Sequence, residues 1–294
     1  MEYEEFKKGI TDELSKYYGK DAVVTIEEIL KNNGEHKEAV LIRFSDEPEK
    51  TAPIIYLKPV YEEYERYGDD IQEYVGRIVE LREKERGGEP LVEIIMEWEK
   101  AKNNIYPVLI SKTDNMELLN RLLYSDFLDL AVIYEIRWTE NNRVLSCKVT
   151  KEMLQVYKIT KTELHSRAIE NMKQDGYCLR DLLHEICDLE LPDDKDSLCE
   201  TGKIYILTNF SKKHGAAGLL YTELLKEKMN GMSAYIIPSS VHEILLVPIE
   251  LDMETEKIND MIEQVNQEVV AKEERLENHC YIWDGGEGRI KIPA

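Results

Sequence analysis

Segments with helical periodicity and segments with strand-like composition alternate irregularly along this chain, and this alternation restricts the fold more than any other feature. Apolar residues recur at helical spacing over 6–17, 71–81 and 258–269. Short runs such as 22–29 and 39–44 are typical of β-strands, and the turn signal Asn32-Asn33-Gly34 between them predicts a hairpin. The apolar run 127–138 predicts a buried strand. No segment of about 20 to 50 residues repeats, which argues against a solenoid or a propeller. The pattern predicts an α+β fold with mixed sheets and packed helices.

Length and composition favour two folded units. The chain has 294 residues, of which 43% are hydrophobic, enough for one large core or two ordinary ones. The sequence predicts an N-terminal α+β unit over 1–105 and a C-terminal α+β unit over 106–294. The boundary is expected between residues 87 and 123, after the Gly87-Gly88 pair.

The C-terminal unit contains one segment order that predicts topology. Strand 203–208, helix 216–229 and strand 234–237 follow one another, and such a β-α-β crossover places its two strands parallel and right-handed. Both strands then end at the same edge of the sheet. The loops after Thr208 and Ile237 are therefore expected to face one crevice, where α/β arrangements bind their ligands.

The first of these loops concentrates positive charge in an acidic chain. It contains Asn209, Lys212, Lys213 and His214, and Gly215 precedes the predicted helix. Free amide groups and the positive end of a helix attract anions. The loop predicts a binding site for an anionic group, although its spacing is not that of a P-loop. A solvated helix-entry loop is the alternative.

The second loop carries hydroxyl, imidazole and carboxylate groups. Ser240 and His242 lie two residues apart and share one face of a strand, so they form a candidate nucleophile and base. Glu243 would point away, and no glycine-flanked nucleophile elbow is present. Binding by the hydroxyls of Ser239 and Ser240 is the favoured interpretation, and a capping box of Ser240 with Glu243 is the structural alternative.

Charge and hydropathy exclude two classes of partner. The chain carries 59 acidic and 38 basic side chains, a formal net charge of −21, which repels nucleic acid and anionic lipid headgroups. No apolar run approaches the roughly 20 residues that cross a bilayer. The first residues, Met1 to Glu5, are acidic where a signal peptide would be basic. The sequence therefore predicts a cytoplasmic protein that binds neither nucleic acid nor membrane.

The cysteines indicate neither disulfides nor a metal site. Five are present, none in a Cys-x-x-Cys pair, which fits reduced thiols. Cys178, His184, Cys187 and Cys199 lie close in sequence, but zinc sites present tight ligand pairs separated by a loop. His184-Glu185 and His242-Glu243 lack the second histidine of the metalloprotease helix. The sequence predicts no metal and no cofactor.

Five segments spread over nearly the whole chain carry a family resemblance: Glu28–Gly34 (EILKNNG), Ile55–Tyr64 (IYLKPVYEEY), Phe127–Val132 (FLDLAV), Tyr205–Asn209 (YILTN) and Tyr235–Ile244 (YIIPSSVHEI). They resemble an uncharacterised family of unknown function that occurs chiefly in clostridial gut bacteria. Residues 129–172, including Ala168-Ile169-Glu170-Asn171, are more distantly similar to a second uncharacterised bacterial family. Neither resemblance implies an activity, a cofactor or a catalytic residue; both imply a bacterial cytoplasmic protein.

Three functions remain open on the sequence alone. The first is a non-enzymatic binding or interaction protein that recognises an anionic group of a small ligand or a partner protein. The second is a hydrolase that uses Ser240 and His242. The third is a purely structural role in an assembly.

Overall fold

The computed structural model describes residues 1–45, 52–68, 70–85, 95–140, 143–187, 198–251 and 253–293. The chain divides into two units, Met1–Lys31 with Glu35–Glu93, and Asn32–Gly34 with Ile94–Ala294. The domain ranges 1–105 and 106–294 stay a prediction. The sequence also predicts a helix over 91–100 and an exposed, polar connection over 188–202. Most of each segment lies outside the described residues.

In its described residues, the first unit combines a small antiparallel sheet with three helices. Its elements are α1 (Tyr3–Tyr18), β1 (Ala22–Leu30), β2 (His36–Phe44), β3 (Ile55–Tyr56), α2 (Leu57–Tyr67) and α3 (Ile71–Glu85). The strands pair in the order β1-β2-β3. Phe6, Ile10 and Leu14 recur every four residues, so they share the face of α1 that is fully buried against the core.

The second unit begins with a four-stranded sheet and the helices that precede, connect and follow its strands. These are α4 (Trp98–Ala101), β4 (Ile105–Ser111), α5 (Met116–Arg121), β5 (Tyr124–Phe127), β6 (Leu130–Glu140), β7 (Arg143–Lys148), α6 (Lys151–Tyr157) and α7 (Lys161–Gln174). Strand β6 pairs with β4 along one edge and with β5 and β7 along the other. The strand expected over 127–138 is thus divided, because Leu128 adopts a φ of 55° and turns the chain from β5 into β6.

A six-stranded sheet completes the second unit. Its elements are β8 (Cys178–Asp181), α8 (Leu182–Ile186), β9 (Tyr205–Thr208), α9 (Thr222–Met229), β10 (Ala234–Ser240), β11 (Glu243–Pro248), α10 (Thr255–Glu268), β12 (Tyr281–Asp284) and β13 (Arg289–Lys291). The strands lie in the order β13-β12-β10-β11-β9-β8. One hydrophobic core joins residues of both sheets, including Tyr134, Leu207 and Trp283.

The α+β class is confirmed, but the expected mixed sheets are not present among the described residues, where every strand pairing is antiparallel. The predicted crossover joins β9 to β10, yet β11 lies between them and pairs with both. Because β9 and β10 are each antiparallel to β11, they run in the same direction without being neighbours. Both therefore end at the same edge of the sheet.

Helix α10 covers the sheet with only part of its apolar surface. Ile258 and Ile262 are buried beside Tyr235 and Val247. Met261 is 57% exposed although it belongs to the same apolar pattern in the sequence. Periodicity therefore identified the helix, whereas the number of residues that it buries depends on the width of the sheet below it.

Candidate functional site

The end of β9 and the β10–β11 hairpin meet at one edge of the six-stranded sheet. The hydroxyl of Thr208 donates a hydrogen bond of 3.1 Å to the carbonyl oxygen of His242. Gly215 lies against the same carbonyl, and a Cβ atom at this position would come within 2.3 Å of that oxygen. A residue without a side chain is needed because the two backbones approach so closely.

Asn209 fixes the shape of the loop that follows β9. Its side chain is almost fully buried, and its Oδ1 accepts hydrogen bonds from the amide of Lys213 at 3.1 Å and the hydroxyl of Ser211 at 3.0 Å. Its Nδ2 donates to the carbonyl of Lys213 at 2.9 Å and to Asp175 Oδ2 at 3.1 Å. The hydrogen bonds of this one side chain thus hold residues 209–214 in a fixed loop, which we call the 209–214 loop.

Two residues of the 209–214 loop adopt backbone conformations that residues with side chains usually avoid. Lys212 has a φ of 51° and His214 a φ of 54°. Such left-handed conformations are uncommon outside glycine and persist only where the surroundings enforce them. Here the bonds of Asn209 hold Lys213, and the amide of His214 donates to Nδ1 of His242 at 3.1 Å.

Two charged residues of β6 reach the His214 ring. Glu135 and Arg137 are two residues apart and share one face of the strand, and Arg137 Nε donates to Glu135 Oε2 at 3.1 Å. Nδ1 of His214 lies 2.9 Å from Arg137 Nη2 and 3.3 Å from Glu135 Oε2. Arg137 also approaches Asp175, with 3.8 Å between Nη1 and Oδ2.

The second imidazole extends this network to the surface. The rings of His214 and His242 are nearly parallel, with centroids 5.6 Å apart and an interplanar angle of 12°. Nε2 of His242 lies 3.3 Å from Glu274 Oε1. We call the six residues of this network the histidine cluster: Glu135, Arg137, Asp175, His214, His242 and Glu274.

The pKa values of buried Glu135 and partly buried Asp175 are shifted in opposite directions. Burial alone would raise the pKa of Glu135, but the hydrogen bond and charge of His214 and the charge of Arg137 lower it from 4.5 to about 2. Burial raises the pKa of Asp175, because Arg137 and Asn209 offset only part of its desolvation. The ionised form of Glu135 therefore depends on its two neighbours.

The serines of the second predicted loop make local contacts. The expected loop is a continuation of β10, which reaches Ser240, followed by a two-residue hairpin turn. The hydroxyl of Ser240 accepts a hydrogen bond of 3.0 Å from the amide of His242, and that of Ser239 donates to Glu243 Oε1 at 3.3 Å. Both ring nitrogens of His242 face other partners, so the contacts form no Ser240–His242 dyad.

The expected helix terminus behind Gly215 has a different structure. The helix expected over 216–229 consists of a 3-10 turn, Gly215–Leu220, and the later helix α9. The amide of Ala216 donates to Val241, and the amide of His214 to His242. Because these groups are already hydrogen-bonded within the protein, the loop offers an anion its side chains and not a row of free amides.

The two predicted lysines have different surroundings. The ammonium of Lys212 pairs with the carboxylate of Glu185. Lys213 is exposed, and its ammonium has no ion-pair partner among the described residues. An incoming anion would therefore meet Lys213 first, beside the partly exposed ring of His214.

Replacing Asn209 by alanine should loosen the 209–214 loop. We expect the free energy of unfolding to fall by about 2 kcal/mol, because buried partners lose their hydrogen bonds. Hydrogen exchange at the amide of Lys213 should accelerate, since that amide donates to Asn209. Asn120→Ala, at an exposed position of α5, serves as the control and should change stability by less than about 0.5 kcal/mol. Unchanged exchange at Lys213 would contradict the role assigned to Asn209.

The sequence predictions did not include Glu135, Arg137, Asp175 or Glu274. The first two had a detectable signal, because two charges separated by one residue interrupt the apolar run of β6 and must lie on one face. Asp175 and Glu274 had no comparable signal, since Asp175 directly follows α7 and Glu274 ends a 3-10 turn, both of ordinary polar composition.

Comparison with known proteins identifies a family but no activity. Residues 3–285 match the model of a family of unknown function, DUF5688. No curated protein and no solved structure matches the chain. Within the described residues, no helix has both the length and the apolar character that crossing a bilayer requires.

Proposed function

This chain belongs to the DUF5688 family, whose function is not known, and we propose that it is a binding protein that recognises an anionic group of a small ligand or a partner at the 209–214 loop. The observation that carries this proposal is the conformation of the loop. Lys212 and His214 both have positive φ values without being glycine, and a loop held in this way is set before its ligand arrives.

The charge of the loop supports an anionic ligand. Lys213 is exposed to solvent, while Lys212 and His214 lie on either side of it in the chain. In a chain of net charge −21, most of the surface repels an anion. A negatively charged group would therefore concentrate at the positively charged 209–214 loop. The hydroxyls of Ser239 and Ser240 would be its neighbours on the adjoining hairpin.

The contacts favour binding over hydrolysis. A serine nucleophile needs a base within hydrogen-bond reach of its hydroxyl. The hydroxyl of Ser240 accepts from a backbone amide, and the His242 ring contacts the amide of His214 and the carboxylate of Glu274. The imidazole thus helps to position the loop.

The proposal extends to the cellular setting. The resemblance to a clostridial family supports a bacterial origin, and five cysteines without a disulfide bond among the described residues fit a reducing cytoplasm. The excess of acidic side chains supports a partner other than nucleic acid or membrane.

Charge reversal at Lys213 tests the proposed function. Pyrophosphate, citrate and polyglutamate are added at constant ionic strength while the melting temperature is recorded. We expect at least one of them to raise the melting temperature of the wild type, with about 2.7 kcal/mol of stabilisation at 100 times Kd, and Lys213→Glu to abolish the rise. Lys213 is chosen over Lys212 because the latter also holds Glu185.

The control for this experiment is Lys8→Glu. Lys8 is an exposed residue of α1 in the first unit, so its reversal changes the net charge equally. It should leave the ligand-induced rise intact. The proposal is wrong if none of the three anions stabilises the wild type, or if Lys213→Glu responds as the wild type does.

A further inference from the structure

A second cluster of ionisable residues lies where the β5–β6 hairpin faces the segment before β12. Asp129 occupies the hairpin turn, and Glu277 and His279 precede Tyr281, the first residue of β12. One carboxylate oxygen of each acid and one imidazole nitrogen all lie within 4.8 Å of one another. Among the described residues this is the one group of three histidine, cysteine or acidic side chains that is so closely gathered.

Neighbouring groups fix the orientation of two of the three side chains. The hydroxyl of Tyr281 donates to Asp129 Oδ1 at 2.7 Å. Nδ1 of His279 lies 3.0 Å from the carbonyl oxygen of Cys280, so it is the protonated nitrogen that donates there. Nε2 is thereby directed at Asp129 Oδ2, 2.7 Å away. Outer hydrogen bonds of this kind orient the ligands of protein metal sites and select the histidine nitrogen that binds.

Glu277 supplies an independent indication of a missing partner. Its Oε1 atom is buried and has no hydrogen-bond partner among the described residues. Buried polar atoms are nearly always satisfied, and an exception indicates a bound ion or water at that position. Burial raises the pKa of Glu277, and a side-chain hydrogen bond with Ser111 offsets only part of this effect. A cation beside the two carboxylates would give Oε1 of Glu277 a partner.

We propose that Asp129, Glu277 and His279 bind a divalent first-row transition-metal ion. Two carboxylates and one imidazole are ligands that Zn²⁺ and its neighbours in the series accept. The ion would take the place of the proton between Nε2 of His279 and Oδ2 of Asp129, and that proton would leave to solvent. Ligand atoms of tetrahedral Zn²⁺ lie roughly 3–3.5 Å apart. Nε2 of His279 and Oδ2 of Asp129, at 2.7 Å, must therefore separate slightly to admit the ion, and one ligand atom from each of the three residues already lies within 4.8 Å of the others.

The composition of the site suggests which ion it holds and how. Three protein ligands leave one position of a tetrahedral ion for water, as in open rather than closed zinc sites. The imidazole disfavours Mg²⁺ and Ca²⁺, which prefer oxygen ligands alone. This site involves no residue of the 209–214 loop, so it stands independently of the proposed anion binding.

Metal binding is tested on the full chain after treatment with EDTA and exhaustive dialysis. Calorimetric titration with Zn²⁺ should give one site per chain, and Zn²⁺ should raise the melting temperature of the wild type. Asp129→Asn, Glu277→Gln and His279→Gln should each weaken binding at least tenfold. The control His36→Gln removes an exposed histidine that lies 3.4 Å from Glu28 and should bind Zn²⁺ as the wild type does.

Two further measurements distinguish binding at these three side chains from binding of Zn²⁺ to a cysteine thiol. Cobalt(II) should give visible absorption bands without a thiolate charge-transfer band, since no cysteine belongs to the site. Tyr281→Phe removes only the hydroxyl that orients Asp129, so it should weaken Zn²⁺ binding less than the ligand variants do. This variant also provides a test if one of the ligand variants fails to fold. Absence of Zn²⁺ binding in the wild type, equal affinity in the ligand variants, or a thiolate band would each overturn the proposal.

Discussion

Replacing Arg137 by methionine should lower the free energy of unfolding by about 3–5 kcal/mol. Glu135 is only 7% exposed, and Arg137 provides one of its two charged or hydrogen-bonding neighbours. Without the guanidinium, a carboxylate remains buried with too few partners, and Asp175 loses a favourable charge at 3.8 Å. Chemical denaturation of the variant and the wild type measures the difference.

A surface pair with the same spacing provides the control for Arg137→Met. Arg289 pairs with Glu287 two residues before it, but the Arg289 side chain is 67% exposed. Arg289→Met should therefore cost less than about 1 kcal/mol. The double variant Glu135→Leu with Arg137→Met should be more stable than Arg137→Met alone, because no unpaired carboxylate remains. Equal losses in Arg137→Met and Arg289→Met would contradict the role of burial.

The carboxylate of Glu135, with its neighbours His214 and Arg137, sets a pH dependence. Glu135 has a pKa lowered from 4.5 to about 2 in the folded protein, so between these values the unfolded chain binds the proton and the folded chain does not. The stabilisation from this carboxylate is complete above about pH 4.5 and disappears as the pH falls to about 2. It amounts to roughly 3 kcal/mol. Glu135→Gln should lack this part of the acid-induced loss, as the difference between the two stability curves will show.

Replacing Gly215 by alanine should lower the free energy of unfolding by about 3 kcal/mol or more. The added methyl group would lie 2.3 Å from the carbonyl oxygen of His242 and 2.9 Å from Cα of Thr208. The first atom belongs to the turn between the paired strands β10 and β11 and the second to the paired strand β9, so neither can move without disturbing the sheet. We expect the loop to separate from the hairpin, and the stabilisation by anions to disappear with it.

Gly76→Ala is a matched control with the opposite expected sign. Gly76 lies in the middle of α3, and a Cβ atom there meets nothing within 4 Å. Alanine should stabilise this helix by about 1 kcal/mol, because glycine is the poorer helix former. Thermal and chemical denaturation of the two variants should therefore move in opposite directions. A stable Gly215→Ala variant with intact anion response would show that the close approach is not needed.

The helices and strands were largely predictable because their signals are local. Apolar residues at 3.6-residue spacing predicted α1 and α10 within a few residues of their ends. The turn at Asn32–Gly34 was predicted from residue type, and β1 and β2 pair as a hairpin on either side of it. The division of 127–138 at Leu128 was not predictable, since leucine rarely adopts a positive φ.

Strand order could not be read from the same signals. The segment order β9, α9, β10 predicted correctly that the two strands run in one direction, because a crossover returns the chain to its starting edge. It did not show that β11 would lie between them, which requires the register of three strands. That register is fixed by side chains in contact across the sheet and not by neighbours in the chain.

The sequence by itself determined the α+β class, the acidic surface and the presence of a positive loop after β9, because each follows from composition and short-range spacing. Only the tertiary structure decided which groups meet. It joins Glu135 and Arg137 to His214, 77 residues from Arg137. It also brings His279 to Asp129, 150 residues away. Contacts over such distances depend on packing and strand register, which one sequence does not display, and so the chemistry of both clusters appears only in the folded chain.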